Sequence, residues 1–397
     1  MKINIGLLPR IILAIVLGVA IGSVAPQWLV KLFSTFNGIF GSFLGFVIPL
    51  IIIGFIAPGI AEMGRGAGKM LGITTAVAYG STIVAGLLAF FAGSAFLPSF
   101  ISGNHLEELE NPEEFLQHPF FQIDMPPVMG VMSALLLAFI LGIGMATIKG
   151  DTLQQAFNNF RTIIEKLISN IIIPLLPIHI FGIFANMTYG GQVALILSVF
   201  AKVFALIIAL HIIMLLIQYT TSGVVSGKNP FTLMKTMLPA YFTALGTQSS
   251  AATIPVTLRQ AKQTGVKEKV ADFTVPLLAT IHLSGSTITL VSCAMGVMLL
   301  NGQTPDLASI TPFIFMLGVT MIAAPGVPGG AVMAALGLLD SMLGFNETML
   351  TLMIALYLAQ DSFGTATNVT GDGALTVIVN KFTKKQSSGS KNEASIA

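Results

Sequence analysis

The sequence has few charged residues. Lys, Arg, Asp and Glu make up 9% of its 397 residues, whereas a soluble globular protein carries about 25%. The net charge of only +2 gives no reason to expect a polyanionic partner. These shortages exclude a soluble enzyme, a disordered chain and a nucleic-acid binder, and water is therefore not the main solvent of this protein.

Cysteine is nearly absent as well. Cys293 is the single cysteine, so neither an intramolecular disulfide nor a cysteine-based metal cluster can form. The chain is instead hydrophobic, with 54% apolar residues and a mean hydropathy of +0.87. Its first apolar stretch continues into Trp28 without an evident cleavage site and is interpreted as a retained span rather than a signal peptide.

Apolar stretches long enough to cross a bilayer as helices, which takes about 20 residues, lie at 8–26, 39–60, 70–98, 128–148, 167–188 and 194–220. After residue 230 the apolar stretches are interrupted by Ser, Thr, Gly and Pro. Irregular backbone is tolerated at membrane depth only where it is buried in protein or lines a cavity. Segments 239–258 and 308–343 are therefore predicted as re-entrant hairpins, with further spans at 271–299 and 346–380.

The distribution of charge supports eight spans and two hairpins. With the N-terminus inside, all basic residues except Lys31 and Lys202 fall on the cytoplasmic side, as the positive-inside rule requires. If each hairpin were a full crossing, the basic cluster from Arg259 to Lys269 would move outside. We therefore expect a multi-pass protein of the inner (plasma) membrane with both termini in the cytoplasm.

A hairpin followed by a span occurs twice, at 239–299 and at 308–380, and the two units enter from opposite sides. Such an inverted repeat with interrupted helices is typical of the substrate site of a transporter. In the first hairpin, free N–H groups and the hydroxyls of Ser249 and Ser250 could bind a carboxylate. In the second, the glycines of residues 326–330 allow a close approach of the backbone.

Two carboxylates lie in the last span. Asp361 and Asp372 are eleven residues apart, which places them about 20° apart around a helix and about 16 Å apart along it. Thr365 and Asn368 lie between them on the same face. An unpaired carboxylate inside a membrane is costly, so each acid is predicted to bind a cation. One could hold a substrate ammonium and the other a metal ion.

These segments resemble the dicarboxylate/amino acid:cation symporter family, the glutamate-transporter homologues. The motifs that carry the resemblance are Gln248 to Pro255, His282-Leu283-Ser284-Gly285-Ser286, Gly326-Val327-Pro328-Gly329 and Asp361 to Asp372. The resemblance implies an all-α integral membrane protein of eight transmembrane helices and two re-entrant hairpins. It also implies an elevator-type transporter, not an enzyme, that forms a homotrimer in the lipid bilayer.

The resemblance also implies a division into a scaffold and a transport domain. The scaffold would comprise residues 1–70 (spans 1 and 2) and 128–190 (spans 4 and 5). The transport domain would comprise span 3 within 71–127, which also holds an acidic extracellular loop, and residues 191–383. Residues 384–397 would form a cytoplasmic tail. The second hairpin would be the extracellular gate.

By position in the family's motifs, we expect the substrate to contact Ser249, Ser250, Ser286, Val327, Gly329, Asp361, Gly364, Thr365 and Asn368. One sodium site would use Asp372 with backbone oxygens near Leu278, His282 and Asn368. A second would use Thr280 with backbone oxygens of Met321, Ile322 and Ala324.

The departures from the family pattern concern the substrate. Members that carry acidic substrates have an arginine where this chain has Gly364, and some have a second where it has Gln248. Without them a substrate's side-chain carboxylate would be buried unpaired, at a cost of several kcal/mol. A small neutral amino acid such as serine, threonine or alanine is therefore predicted. Gln360-Asp361-Ser362 is also similar to the serine/threonine branch. An acidic substrate is the alternative.

The coupling ion is predicted to be Na⁺, with H⁺ as the alternative. A third sodium site of the family has Asn and Asp where this chain has His282 and Ser284, although Ser81 and Thr82 offer hydroxyls nearby. His282 is open to three interpretations: a structural hydrogen-bonding residue, a participant in cation or substrate binding, or a proton carrier.

Other interpretations remain for single residues and for the whole chain. His179 and His211 lie on apolar spans and are expected to be hydrogen-bonded packing residues. A channel is a second function class, since polar broken helices could line a conducting path. A membrane-embedded serine hydrolase, built on Ser249 or Ser250 with His282 and an aspartate, is a third.

Overall fold

The computed structural model describes residues 7–65, 69–101, 116–191, 193–322, 324 and 328–393. All regular secondary structure within these ranges is helical, which confirms the predicted all-α class. Two sequence-based expectations, the acidic stretch at 105–115 and substrate contact by Val327, lie outside the described residues.

The helices are α1 (Leu7–Gly22), α2 (Gln27–Arg65), α3 (Lys69–Ile101), α4 (Val131–Thr147), α5 (Thr152–Leu167), α6 (Ile173–Tyr189), α7 (Val193–Ser226), α8 (Pro230–Thr247), α9 (Ser250–Gln263), α10 (Glu268–Ile281), α11 (Ser284–Leu300), α12 (Leu307–Ile322), α13 (Gly330–Leu343) and α14 (Glu347–Glu393). In the described part of the chain, five helical segments are long and apolar enough to cross a membrane, and four shorter apolar helices accompany them.

Some helices are longer than the predicted spans. Helix α2 has 39 residues, because it begins twelve residues before the predicted 39–60 stretch and ends five residues after it. The span predicted at 167–188 begins at Thr152, as α5, and reaches α6 through a π-helical turn at Ile168–Ile172. Pro174 follows that turn; proline has no N–H and clashes with the carbonyl four residues earlier, and a π turn relieves both problems. Helix α14 continues into the predicted tail.

Two helical pairs fold back on themselves where the sequence predicts hairpins. Helices α8 and α9 form hairpin 1, which turns at Gln248 and Ser249. Gln248 is in the left-handed conformation, with a φ of 54°, and is the one non-glycine residue with positive φ in the described ranges. Helices α12 and α13 form hairpin 2. The predicted limits of 239–258 are thus too narrow for hairpin 1, and those of 308–343 match hairpin 2.

The helices pack as two groups. In the α2 group, α2 packs on α4, α5 and α6, and α1 packs on α6. In the α14 group, α14 and α11 are central, with α3, α7, α8, α9 and α10 around them and hairpin 2 at one side. The groups meet where α13 packs on α2 and α4 and where α14 contacts α1 and α6. The interrupted segments with polar residues all belong to the α14 group.

Candidate functional site

The site is built around a break between α10 and α11. Helix α10 ends at Ile281 and α11 begins at Ser284, so the ends of two helices meet inside the protein. Helix ends carry backbone groups without partners in the helix. Asn368 of α14 satisfies two of them, because its Oδ1 accepts from the N–H groups of Gly285 at 2.7 Å and Ser286 at 3.3 Å.

The same asparagine also orients a hydroxyl. The Nδ2 of Asn368 donates to Ser286 Oγ at 3.0 Å. Close packing of α11 on α14 depends on Gly285, because a Cβ at that position would clash with the carbonyl oxygen of Gly364. At Gly364 itself a Cβ would lie 3.5 Å from Ser286 N, an ordinary contact. A side chain could therefore start at position 364 without moving α11.

The carboxylate of Asp361 lies at the beginning of α13. Asp361 is 5% exposed, and its Oδ2 accepts from the N–H of Gly329 at 2.7 Å. Gly329 has a φ of 74° and directly precedes α13, whose N-terminal dipole favours a negative charge. Among the described residues no Lys or Arg pairs with Asp361. A cationic group of a ligand would supply the missing positive charge.

A small cavity of about 20 Å³ lies in front of this carboxylate. Both hairpins, the broken helix and α14 contribute to its wall, which consists of Gln248, Ser250, Ala279, Thr280, Leu283, Ser286, Ala324, Ala331, Tyr357, Asp361 and Thr365. That volume has room for about one water molecule, so the cavity is nearly closed in the described structure and has to widen to admit a substrate. The wall combines hydroxyls, one carboxylate and one amide, which suits a small polar molecule.

The structure brings four of the predicted substrate contacts to this cavity: Ser250, Ser286, Asp361 and Thr365. Gly329 and Asn368 lie one hydrogen bond behind this wall, and Gly364 packs behind Ser286. Ser249 does not line the cavity; its Oγ caps α9 by accepting from Ala252 N at 3.3 Å.

A second buried polar cluster surrounds Asp372. The Nδ1 of His282 lies 2.8 Å from Asp372 Oδ1, and neither side chain is exposed. On the other side of the ring, Nε2 lies 3.0 Å from Ser81 Oγ. Gln218 of α7 donates from Nε2 to Ser81 Oγ at 3.0 Å and to Ser284 Oγ at 3.1 Å. The polar partners of His282 therefore come from α3, α7 and α14.

The contacts of Asp372 in this cluster limit the atoms that can serve as ligands in the predicted cation site. The Oδ1 of Asp372 contacts the imidazole of His282, whereas its Oδ2 has no hydrogen-bond partner in the described structure. The backbone carbonyl of Leu278, one of the predicted ligands, accepts from His282 N at 2.9 Å. For a cation at this site, Asp372 Oδ2 is thus the clearest ligand.

The residues of the second predicted cation site surround another cavity. Thr280, Ile322 and Ala324 line a space of about 120 Å³ together with Gly59, Glu62, Leu71, Arg161, Leu277 and Ile281. Helix α12 ends at Ile322, one residue after the buried Met321. The last carbonyls of a helix have no helical partner and carry partial negative charge. Since Thr280 and Ala324 also line the first cavity, the two spaces adjoin.

Two residues of these sites are absent from the sequence-based expectations. Tyr357, one turn before Asp361, lines the first cavity. Gln218 lies seven residues after His211 on the same face of α7. Both residues could have been identified from the sequence, because Tyr357 is spaced one helical turn from Asp361 and Gln218 two turns from His211. Gln248, considered only as the replacement of an arginine, also lines the cavity.

Comparison with known proteins shows which family this is. Residues 7–382 match the model of the "Sodium:dicarboxylate symporter family". The chain belongs to this family. It is 25% identical, over 97% of its length and 98% of the relative's, to "Serine/threonine transporter SstT" of Acinetobacter baumannii strain ATCC 17978. The identity to the protein of the same name from A. baumannii strain AYE is 24% over the same shares.

Membership of this family makes the chain a multi-pass membrane transporter and not an enzyme. The geometry agrees with the exclusion of a serine hydrolase. The polar contacts of His282 are with Asp372, Ser81 and Gln218, whereas Ser249 serves as a helix cap. The resemblance in the motifs at 248–255, 282–286 and 361–372 is thereby confirmed.

Proposed function

We propose that the protein is a secondary active symporter that imports a small neutral amino acid together with Na⁺, by an elevator movement of the α14 group. The observation that carries this proposal is the buried carboxylate of Asp361, which faces a cavity lined by hydroxyls and has no basic partner in the described structure. An α-ammonium group would pair with Asp361. An intramembrane acid without a partner is by default a functional residue.

The remaining wall of the cavity favours a neutral side chain. The α-carboxylate would lie at the start of α9, where Ser250 lines the cavity and free N–H groups can bind an anion. A side-chain carboxylate would find the amide of Gln248 but no Lys or Arg among the lining residues. Serine, threonine and alanine fit this chemistry, and the name of the relatives, serine/threonine transporter, supports it. An acidic substrate is the alternative.

Sodium is the proposed coupling ion. Na⁺ prefers oxygen ligands, and the end of α12 with the hydroxyl of Thr280 offers such oxygens beside the substrate cavity. Asp372 Oδ2 offers a carboxylate oxygen at a separate place. The family description supports the same ion. The buried contact of His282 with Asp372 is the observation that favours H⁺ as the alternative.

The proposed elevator movement is supported by the position of the α14 group relative to the α2 group. Glu347, at the outer end of α14, packs against Gly41 of α2. Gly41 is fourteen residues after Gln27, or about 21 Å below the predicted outer end of α2. At the other end, Ala324 of hairpin 2 lines a cavity with Glu62, near the predicted inner end of α2. We infer that the α14 group lies on the cytoplasmic side of its range of movement.

Equilibrium binding of labelled serine to the purified protein tests the site. We expect saturable binding in NaCl that is lost when choline replaces Na⁺, with competition by threonine and alanine but not by aspartate. Binding that is independent of Na⁺ would contradict the coupling ion. Stronger competition by aspartate than by threonine would contradict the neutral substrate.

A further inference from the structure

We propose that His211 of α7 is a positioning residue that holds the beginning of α11 and thereby sets the affinity of the cavity for its substrate. The inference rests on the proposed function and concerns a side chain that does not touch the cavity. Nothing in the sequence distinguishes His211 from a histidine that merely packs between helices, but its hydrogen bonds in the structure do.

The Nε2 atom of His211 contacts the first turns of α11, namely the carbonyl of Gly285 and, at 3.3 Å, the hydroxyl of Thr289. His211 is 3% exposed, and its Nε2 lies 3.0 Å from the carbonyl oxygen of Gly285. Because a carbonyl can only accept, Nε2 carries the hydrogen and donates it. The other ring nitrogen, Nδ1, has no hydrogen-bond partner in the described structure. The bond to Gly285 is therefore the main polar interaction that orients this ring.

This bond completes the fixation of Gly285. The N–H of Gly285 donates to Asn368 of α14, and its carbonyl accepts from His211 of α7. Thr289, one turn later on α11, also directs its hydroxyl to that carbonyl, at 3.2 Å. Both polar groups of one residue are thus held from opposite sides of the broken helix. Since Gly285 stands at the start of α11, these bonds determine where that helix begins.

Ser286 transmits this position to the cavity. It directly follows Gly285, lines the cavity, and accepts at Oγ from Asn368. A shift of about 1 Å in a substrate-binding group can cost a large part of the binding energy. Loss of the His211 bond would leave the carbonyl of Gly285 held only from within α11, by Thr289, and would allow α11 and Ser286 to move relative to α7. Substrate affinity should fall even though no group in the wall has changed.

His179 provides the matched control. It is equally buried and hydrogen-bonded, with Asn37 at 3.1 Å and Thr351 at 2.9 Å. It joins α6 to α2 and α14 near their outer parts and does not contact α10 or α11 through either bond. If His211 were only a packing residue, replacing either histidine with leucine should have similar consequences.

The test compares His211→Leu, His211→Gln and His179→Leu in equilibrium binding of labelled serine at saturating Na⁺. Losing one buried hydrogen bond of about 1.4 kcal/mol raises the half-saturating concentration about tenfold, which we expect for His211→Leu. His211→Gln keeps an N–H donor of similar reach and should restore affinity to within about threefold of the original. His179→Leu should change it by less than about twofold. Thermal unfolding of each variant checks that it is folded.

The outcomes separate the two proposals. Unchanged affinity in folded His211→Leu, beside normal binding by the original protein, refutes only the positioning role. The same conclusion follows if His211→Gln is folded but binds as weakly as His211→Leu. If the leucine variant does not fold, His211→Met provides a second side chain without a donor. Absence of serine binding by the original protein would overturn the proposed function and, with it, the role of His211.

Discussion

The two hairpins have the same architecture but opposite surroundings. In hairpin 2, residues 330–339 of α13 are all buried, and Gly337 packs closely against Ile48 of α2 and Val131 of α4. In hairpin 1, only every third or fourth residue of α8 is buried, and its end at Gly246 and Thr247 is exposed. The second arm of hairpin 2 is thus enclosed between the helix groups, whereas its first arm, α12, and the first arm of hairpin 1, α8, are each buried along one face.

Under the proposed elevator movement, this difference is expected of a cytoplasmic position of the α14 group. In the predicted orientation, hairpin 1 enters from the cytoplasm and hairpin 2 from outside. Helix α13 of the predicted extracellular gate would then be covered by α2 and α4, whereas hairpin 1 would face the cytoplasm. We infer that in this position hairpin 2 has no room to open and that substrate would exchange on the side of hairpin 1.

The largest expected effect is at the point where hairpin 2 meets the substrate cavity. Asp361→Asn keeps the shape of the side chain but removes the charge that accepts from Gly329 and would hold the ammonium group. Breaking a buried charge pair costs about 3 kcal/mol or more, or about 100-fold in affinity. We expect loss of serine uptake into proteoliposomes with unchanged oligomeric state on size-exclusion chromatography. The control is Asp306→Asn, which changes an exposed acid before hairpin 2. Normal uptake by Asp361→Asn would refute the role of Asp361.

The second-largest expected effect concerns which substrate the cavity prefers, not whether it binds one. Gly364→Arg introduces a positive charge behind Ser286, at a position where a Cβ makes only ordinary contacts. A buried carboxylate gains from a guanidinium partner, so aspartate should compete with serine about tenfold better. Gly364→Ala is the control for steric effects alone. Competition curves in which the arginine variant gains nothing for aspartate would count against the argument from charge.

The smallest expected effect tests the enclosed position of hairpin 2. Glu347 lies where a side chain at Gly41 would be, whereas at Gly45, one turn later, a Cβ would meet nothing within 4 Å. Gly41→Leu should therefore disfavour the described position by about 1 kcal/mol, because the side chain it meets, Glu347, is flexible, and Gly45→Leu should not.

The exposure of hairpin 1 to a reagent on the cytoplasmic side reports this shift in the position of the α14 group. In a Cys293→Ser background, Thr247→Cys should react with a membrane-impermeant thiol reagent supplied on the cytoplasmic side. The reaction should slow severalfold with Gly41→Leu and stay unchanged with Gly45→Leu. Equal labelling of the two variants would show that the contact of Glu347 with α2 does not hold the α14 group in place.

Much of the site was predictable because it depends on local sequence. Interruptions by Ser, Thr, Gly and Pro placed both hairpins. Helical periodicity placed Asp361, Thr365 and Asn368 on one face. These inferences need only the repeat of a helix and the cost of polar backbone in lipid.

The remaining features depend on contacts between distant parts of the chain. Helix α2 starts early because Thr35 and Asn37, polar in sequence, find partners in Phe120 and His179. Asp372 and His282 are ninety residues apart, and their contact could not be inferred from spacing. The contacts of Gln218 on α7 are of the same kind, since its partners come from α3 and α11, although its spacing from His211 could have drawn attention to the residue itself.

The most direct test of the account is accumulation of labelled serine in proteoliposomes, with an inward Na⁺ gradient in one preparation and an inward H⁺ gradient in another. The account predicts uptake above the equilibrium level with the Na⁺ gradient, saturation with serine, and loss of accumulation when the gradient is dissipated. Accumulation driven only by the H⁺ gradient would contradict the sodium sites. Equilibration without accumulation under either gradient would contradict coupled transport itself.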